Sequence, residues 1–115
     1  MSNLYKNVPF DLTTSAAFDV YTCPSNATAI IQNIQAFNVD SSAVSCFVRM
    51  KDASDSLTVI PLAAKSIAAS LSAKLNDGII ILEASDVLQL QTNSAIDKVS
   101  GSVNILEISR SDQNG

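Results

Sequence analysis

The sequence predicts an all-β fold: an antiparallel two-sheet β-sandwich of jelly-roll or Ig-like topology, in a single domain with an N-terminal arm. Three observations lead there. Apolar and polar residues alternate with period two in one segment after another, which puts alternate side chains on opposite faces of a sheet. Turn chemistry built on Pro, Asn, Ser, Asp and Gly interrupts the alternation roughly every ten residues. No strand-helix-strand rhythm of the kind that builds a parallel sheet is present.

The elements follow in order. Residues 1–15 form the arm or an edge strand, where Leu4, Val8, Phe10 and Leu12 alternate with Tyr5, Asn7, Pro9 and Asp11. Pro9 lacks the N–H that a central strand must donate. The apolar members need a cover, either their own sandwich or the sheet edge of a neighbour. The sequence favours the neighbour, because a terminus that is not tied down is ordinarily polar.

The sandwich itself spans residues 16–109. Phe18 to Thr22 alternates up to the turn Cys23-Pro24-Ser25-Asn26, and a long strand follows from Thr28 to Val39. Its alternation slips at Ile30-Ile31-Gln32, the mark of a bulge or of a section buried on both faces. From Ala43 to Lys51, Val44, Cys46, Val48 and Met50 make one apolar face, leaving Phe47 as the large apolar group among outward Ser45, Arg49 and Lys51. After a polar loop, Leu57 to Ile60 forms a short strand ending at Pro61. Residues 62–75 fit either a helix, with Ile67, Leu71 and Leu75 at spacing four, or a turn and then a strand from about Ser70. The strand is favoured because Asn76-Asp77-Gly78 is a hairpin signal leading into Ile79 to Leu82. Two more strands close the domain: Asp86 to Thr92, and Val99 to Ser109 with Val103, Ile105 and Glu107 opposing Ser102, Leu106 and Ile108. Residues 110–115 are polar and expected to fray.

Composition narrows the function. The chain has 115 residues, seven basic against eleven acidic side chains, a net charge of -4, and neither His nor Trp. Without His the usual general base and the common Ser and Cys nucleophile pairs are missing, so no enzyme, metal or cofactor is expected. An acidic chain with scattered Lys and Arg does not suit a phosphate backbone, so no nucleic acid is expected. No membrane span is expected either, since no apolar run approaches ~18 residues. Asn3, Lys6, Asn7 and Asp11 stand where a signal peptide needs its apolar core, so Cys23 and Cys46 are expected to be reduced thiols, with Cys23 the more accessible at its turn. Carboxylates in the 51–56 loop suit a solvated turn better than a calcium site, and Asp77 and Asp86 suit strand ends better than a catalytic pair. Phe47 and Tyr21 are candidates for an outward aromatic platform. Only 16% of the residues are charged, and small polar side chains abound, which suits surfaces that lie against neighbours.

Three segments together resemble a known family. Tyr21-Thr22-Cys23-Pro24 through Ala29-Ile30-Ile31 to Asn38-Val39-Asp40, then Ile80 to Leu88 with Glu83-Ala84-Ser85-Asp86 at its centre, then Val103 to Ser109, resemble small β-sandwich structural proteins of tailed bacteriophage virions. Ser85 stands where that family has Gly, and the family's Tyr near Ile105 is missing. The resemblance implies a non-enzymatic virion protein assembled in the host cytoplasm. Within that class it implies a capsid decoration or cement protein that binds the major capsid protein, stabilises the head shell and associates with itself as a homotrimer. A neck or tail protein is the alternative, and a small carbohydrate-binding β-module is the reading from another class. The residues expected to contact a partner are Leu4, Tyr5, Val8, Phe10, Leu12 and Phe47.

Overall fold

The computed structural model describes residues 2–93 and 99–109. The alternating segments fold into β1 (Ser2–Leu12), β2 (Phe18–Thr22), β3 (Ala27–Asn38), β4 (Val44–Asp52), β5 (Thr58–Ile67), β6 (Ser72–Lys74), β7 (Ile80–Leu82), β8 (Val87–Thr92) and β9 (Val99–Ser109). A single 3-10 turn, Ala53–Asp55, is capped by the Asp52 side chain, which accepts from the Ser54 N–H. All pairings are antiparallel. One sheet runs β1-β9-β3 and is continued on the far side of β3 by β6 and β7, and the other runs β2-β8-β4-β5. The pairs are nested like a hairpin folded over on itself: β4 with β5 innermost, then β3 with β6 and β7, β2 with β8, and β1 with β9 outermost. With β6 and β7 counted as one interrupted strand along β3, successive strands outside the central hairpin alternate between the sheets, the wiring of a jelly roll.

Period two then decides the core. Inward Val44, Cys46 and Val48 of β4 and Leu88 and Leu90 of β8 join Ala29, Ile31, Ile34 and Ala36 of β3 and Val99, Val103 and Ile105 of β9 in one buried cluster. The slip expected in the third strand is a bulge, where the register with β9 shifts between Ile31 and Asn33. It returns Ile34 to the inner face after Ile31 instead of throwing the rest of the strand outward.

The N-terminal segment is an edge strand of its own sheet, paired with β9 from Ser2↔Ser109 to Leu12↔Val99. Phe10 (6% exposed) and Leu12 (3%) are built into the chain's own core, with Val8 packed against it. Each fully buried side chain of this size stabilises by roughly 1.5–3 kcal/mol, and these two are unavailable to a neighbour. A full-length partner strand, β9, ties the segment down, so this apolar terminus finds cover within its own chain.

Residues 58–67 depart from expectation. β5 runs straight through Pro61, which costs nothing because β5 is the outer strand of its sheet and Pro61 needs no ladder partner there. Part of the segment left open between helix and strand is thus β5, and none of it is helical. Asn76-Asp77-Gly78 does not close a hairpin, since β6 and β7 both pair with β3 and lie end to end along it. Asn76 sits opposite the β3 bulge, accepting from the Ile34 N–H (2.9 Å) and donating to Gly78 O (2.8 Å) and Gln32 O (3.3 Å). Its amide does there what a backbone ladder does elsewhere. Cys23 and Cys46 are both reduced and both buried, so the expected difference in access is absent. Cys23 lies at its turn with Sγ turned inward, donating to Ala27 O at 3.4 Å, and burial pushes the Cys46 thiol up to about 11. The expected tail at 110–115 lies outside the described residues.

Candidate interaction surface

Asp86 and Asp77, the carboxylates at the strand ends, have different surroundings. Asp86 is buried, with one carboxylate oxygen accepting from the Ala53 N–H and the other from the Glu83 N–H. Asp77 pairs with Lys65 at 2.7 Å on the surface. Among the described residues no cluster of three or more His, Cys, Asp or Glu side chains could hold a metal. Tyr21, expected on an outward platform, points between the sheets, because the β2 register shift between Asp19 and Tyr21 swings it inward. Its hydroxyl donates to Glu107, which is also 3.0 Å from the Lys6 ammonium. This part-buried group joins β2 of one sheet to β9 and β1 of the other.

Burial alone would raise the Glu107 carboxyl, but the Tyr21 hydroxyl and the Lys6 ammonium outweigh it and hold the group below its ordinary value near 4.5. Burial and the carboxylate together push the Tyr21 phenol well above its ordinary range. A carboxyl lowered by folding adds stability that is complete above its unfolded value and is lost as pH falls through its folded value, because the unfolded chain takes up the proton first. Urea midpoints from pH 7 to pH 3 should therefore fall more steeply for the wild type than for Glu107→Gln. The two curves should approach each other at the acid end, and at pH 7 the variant should be weaker by about 1–2 kcal/mol.

Four sheet edges could recruit another strand, and each is blunted. β1 carries Pro9 and the inward charge of Lys6. β2 is five residues long with a register shift, β5 carries Pro61 and a bulge at Leu62, and β6 and β7 are three residues each with a break between them. Such features deter edge-to-edge pairing.

The two outward faces differ. On the four-stranded sheet, Lys51 pairs with Asp19 at 3.0 Å, Gln89 donates to the same carboxylate, Arg49 donates to Gln91, and the Arg49 guanidinium lies 5.7 Å from the Phe47 ring centroid. Phe47, expected as a contact residue, is thus half-buried within a polar network. On the five-stranded sheet the register sets outward side chains in rows. Tyr5, Leu106, Ile30 and Ile81 form one apolar row across four strands, with Ile108 beyond it. Asn7, Asn104 and Asn33 form the next row, Asn33 donating to Asn104. Pro9, Ser102 and Gln35, then Ser100 and Phe37, follow. The ionisable outward side chains of these paired strands are Asp11 on β1 and Lys74 on β6, at opposite margins. Tyr5 is 72% exposed and borders a shallow hollow of about 350 Å³ that Asn7, Gln32 and Asn104 also line. Of the expected contact residues, Leu4 and Tyr5 remain accessible. The sequence does not announce the apolar row, because Leu106 and Ile108 read simply as the side opposing the inner face and Ile30 as part of the slip in alternation. The signal lies in β9, where Ile105 faces inward while Leu106 and Ile108 put apolar groups on the other face.

No protein-family model matches the chain, and no curated protein matches it. Solved structures share its fold. It is similar to a chain of the acid-stable capsid of Helicobacter pylori bacteriophage KHP30, at 14% identity and a TM-score of 0.60, over 96% of this chain and 90% of that one. It is similar to a Bacillus endospore appendage protein of disulfide-linked pili, at 12% identity and TM-score 0.55, over 94% and 88% of the two chains. A Clostridium thermocellum xylanase with a CBM22 module matches at 10% identity and TM-score 0.54, over 90% of this chain but 24% of that one. Two of the three are structural proteins.

Proposed function

We propose that the protein is a non-enzymatic structural component of a tailed-phage virion, a decoration or cement protein that binds the major capsid protein and stabilises the head shell. The observation that carries this reading is the likeness in fold to a phage capsid protein over nearly the whole of both chains. Two features support it. The buried carboxylates serve the fold and not a reaction. The blunted edges and small polar surface suit a body that sits among neighbours without polymerising along its strands. The shell contact is assigned to the side of the four-stranded sheet bounded by β5, where Leu57, Val59 and Leu62 are exposed along the free edge.

The test is sedimentation of the purified protein with separated heads and tails of its phage, followed by heating of the heads. Co-sedimentation with heads, and a higher temperature of shell disruption in its presence, is the expected result. Binding to tails alone moves the protein to the neck or tail, and binding to neither overturns the virion reading.

A further inference from the structure

We propose that two copies of this chain pair through the outward faces of their five-stranded sheets, across a twofold axis that runs along the strands between β9 and β3. This goes beyond the head-binding role and uses the opposite side of the molecule.

The occupant follows from charge. An uncharged apolar face gains most from a cover that brings no unpaired charge with it. The other large face of this protein brings Lys51, Asp19 and Arg49, so a head-to-tail stack of unlike faces would strip water from those groups. A second copy of the same face brings only Asp11 and Lys74, at its two margins. A rotation about the proposed axis exchanges β1 with β7 and β9 with β3, and each row then meets its own kind. Tyr5 lies over Ile81 of the partner and Leu106 over Ile30. Asn104 lies over Asn33, where each amide both donates and accepts. Asp11 comes over Ser72 of the partner, one row from Lys74 of the partner, which is opposite in sign. Such self-complementarity is what an isologous contact requires, and aligned packing of two sheet faces is an ordinary arrangement.

The area is adequate. Four strands and five outward rows span about 19 Å by 34 Å, or ~650 Å² on each copy. The total of ~1,300 Å² lies within the range of stable specific complexes, which starts near ~1,200 Å².

A cross-link tests the axis directly. Within one chain Tyr5 and Ile81 are separated by β9 and β3, about 14 Å between backbones, twice the ~7 Å a disulfide can bridge. Across the pair the two positions face each other at the ~10 Å of packed sheets, so the double variant Tyr5→Cys, Ile81→Cys should be joined into a covalent dimer by a short bismaleimide at low micromolar concentration, while either single variant is joined much less. Both positions are exposed, so the fold tolerates the change. Sedimentation equilibrium of the wild type should give twice the mass of the 12.1 kDa chain. Ile30→Lys should return it to the mass of one chain, with its cooperative melt retained as the check on folding. A wild type that stays monomeric at 100 µM, a trimeric mass, or a double variant that does not cross-link overturns the pairing. A monomer that still binds heads overturns this pairing alone, and a dimer that binds neither heads nor tails overturns the virion reading alone.

Discussion

Replacing Gly101 with alanine should lower stability by about 3 kcal/mol or more, a fall in melting temperature of ~10 °C or more, and valine there should prevent folding. A Cβ on residue 101 would lie 1.9 Å from the Gln35 carbonyl oxygen and 2.9 Å from the Ala36 Cα. Both are backbone atoms of β3, so relief requires β9 and β3 to separate, and β9 is held on its other side by β1. Phe10 stands opposite Gly101 and is itself buried, so β9 has little freedom to retreat. Glycine to alanine within a strand ordinarily gains a few tenths to 1 kcal/mol from the unfolded state. A large loss in urea unfolding would therefore report the missing space and nothing else. A variant as stable as the wild type would mean that the two strands are further apart than described.

The second large effect is expected at Asn38, which is 0% exposed. Its amide donates to Ile67 O and Ser42 O, both at 2.9 Å, and its side-chain oxygen accepts from the Asp40 N–H at 2.8 Å. Asn38→Ala leaves two carbonyls and an N–H without their partner at the corner where β3 passes towards β4, for a loss of about 3 kcal/mol. Asn38→Asp should be worse near neutrality, because a buried carboxylate would face carbonyl oxygens. It should recover part of the loss on acidification, as protonation restores a donor. Thermal melts of the three proteins at pH 7 and pH 4 check both the order and its change with pH.

Most strands were legible because each has one face in the core, and period two leaves its mark wherever a single face is buried. The inward sets on β4 and β9 and the bulge in β3 could be named from the residues. Three things could not. β5 was cut short at Pro61, since the sequence does not say which strand lies at the edge of a sheet, and only there is proline harmless. The Asn76 break reads as a hairpin because Asn-Asp-Gly satisfies a local turn as readily as it repairs a distant bulge. Tyr21 was placed outward because a one-residue shift in β2 reverses every side chain after it. The segments that resemble virion proteins contain these hidden polar anchors: Tyr21 with Glu107, Asn38, and Asp86. Ser85 adopts φ 68°, the left-handed conformation that glycine takes most easily, so the corner keeps its form without the family's Gly. Motifs of this kind specify how the chain turns its corners, which is why they speak clearly of fold and faintly of role.

The nested pairing also sets a clock. β9 is the common neighbour of β1 and β3, and the β1 partnership joins residues at opposite ends of the chain, Ser2 with Ser109. During synthesis at ~5–20 residues per second, β1 emerges first and must wait until its partner is made, several seconds at least, with Phe10 and Leu12 unsheltered throughout. Pairings so distant in sequence close slowly even in a finished chain. The five-stranded sheet is therefore completed only after translation has passed residue 109, and a chain halted before residue 99 would leave β1 and β3 each lacking the strand that joins them. Proline in β1 matters most in that interval, when the waiting segment would otherwise be free to pair with its counterpart on another nascent chain.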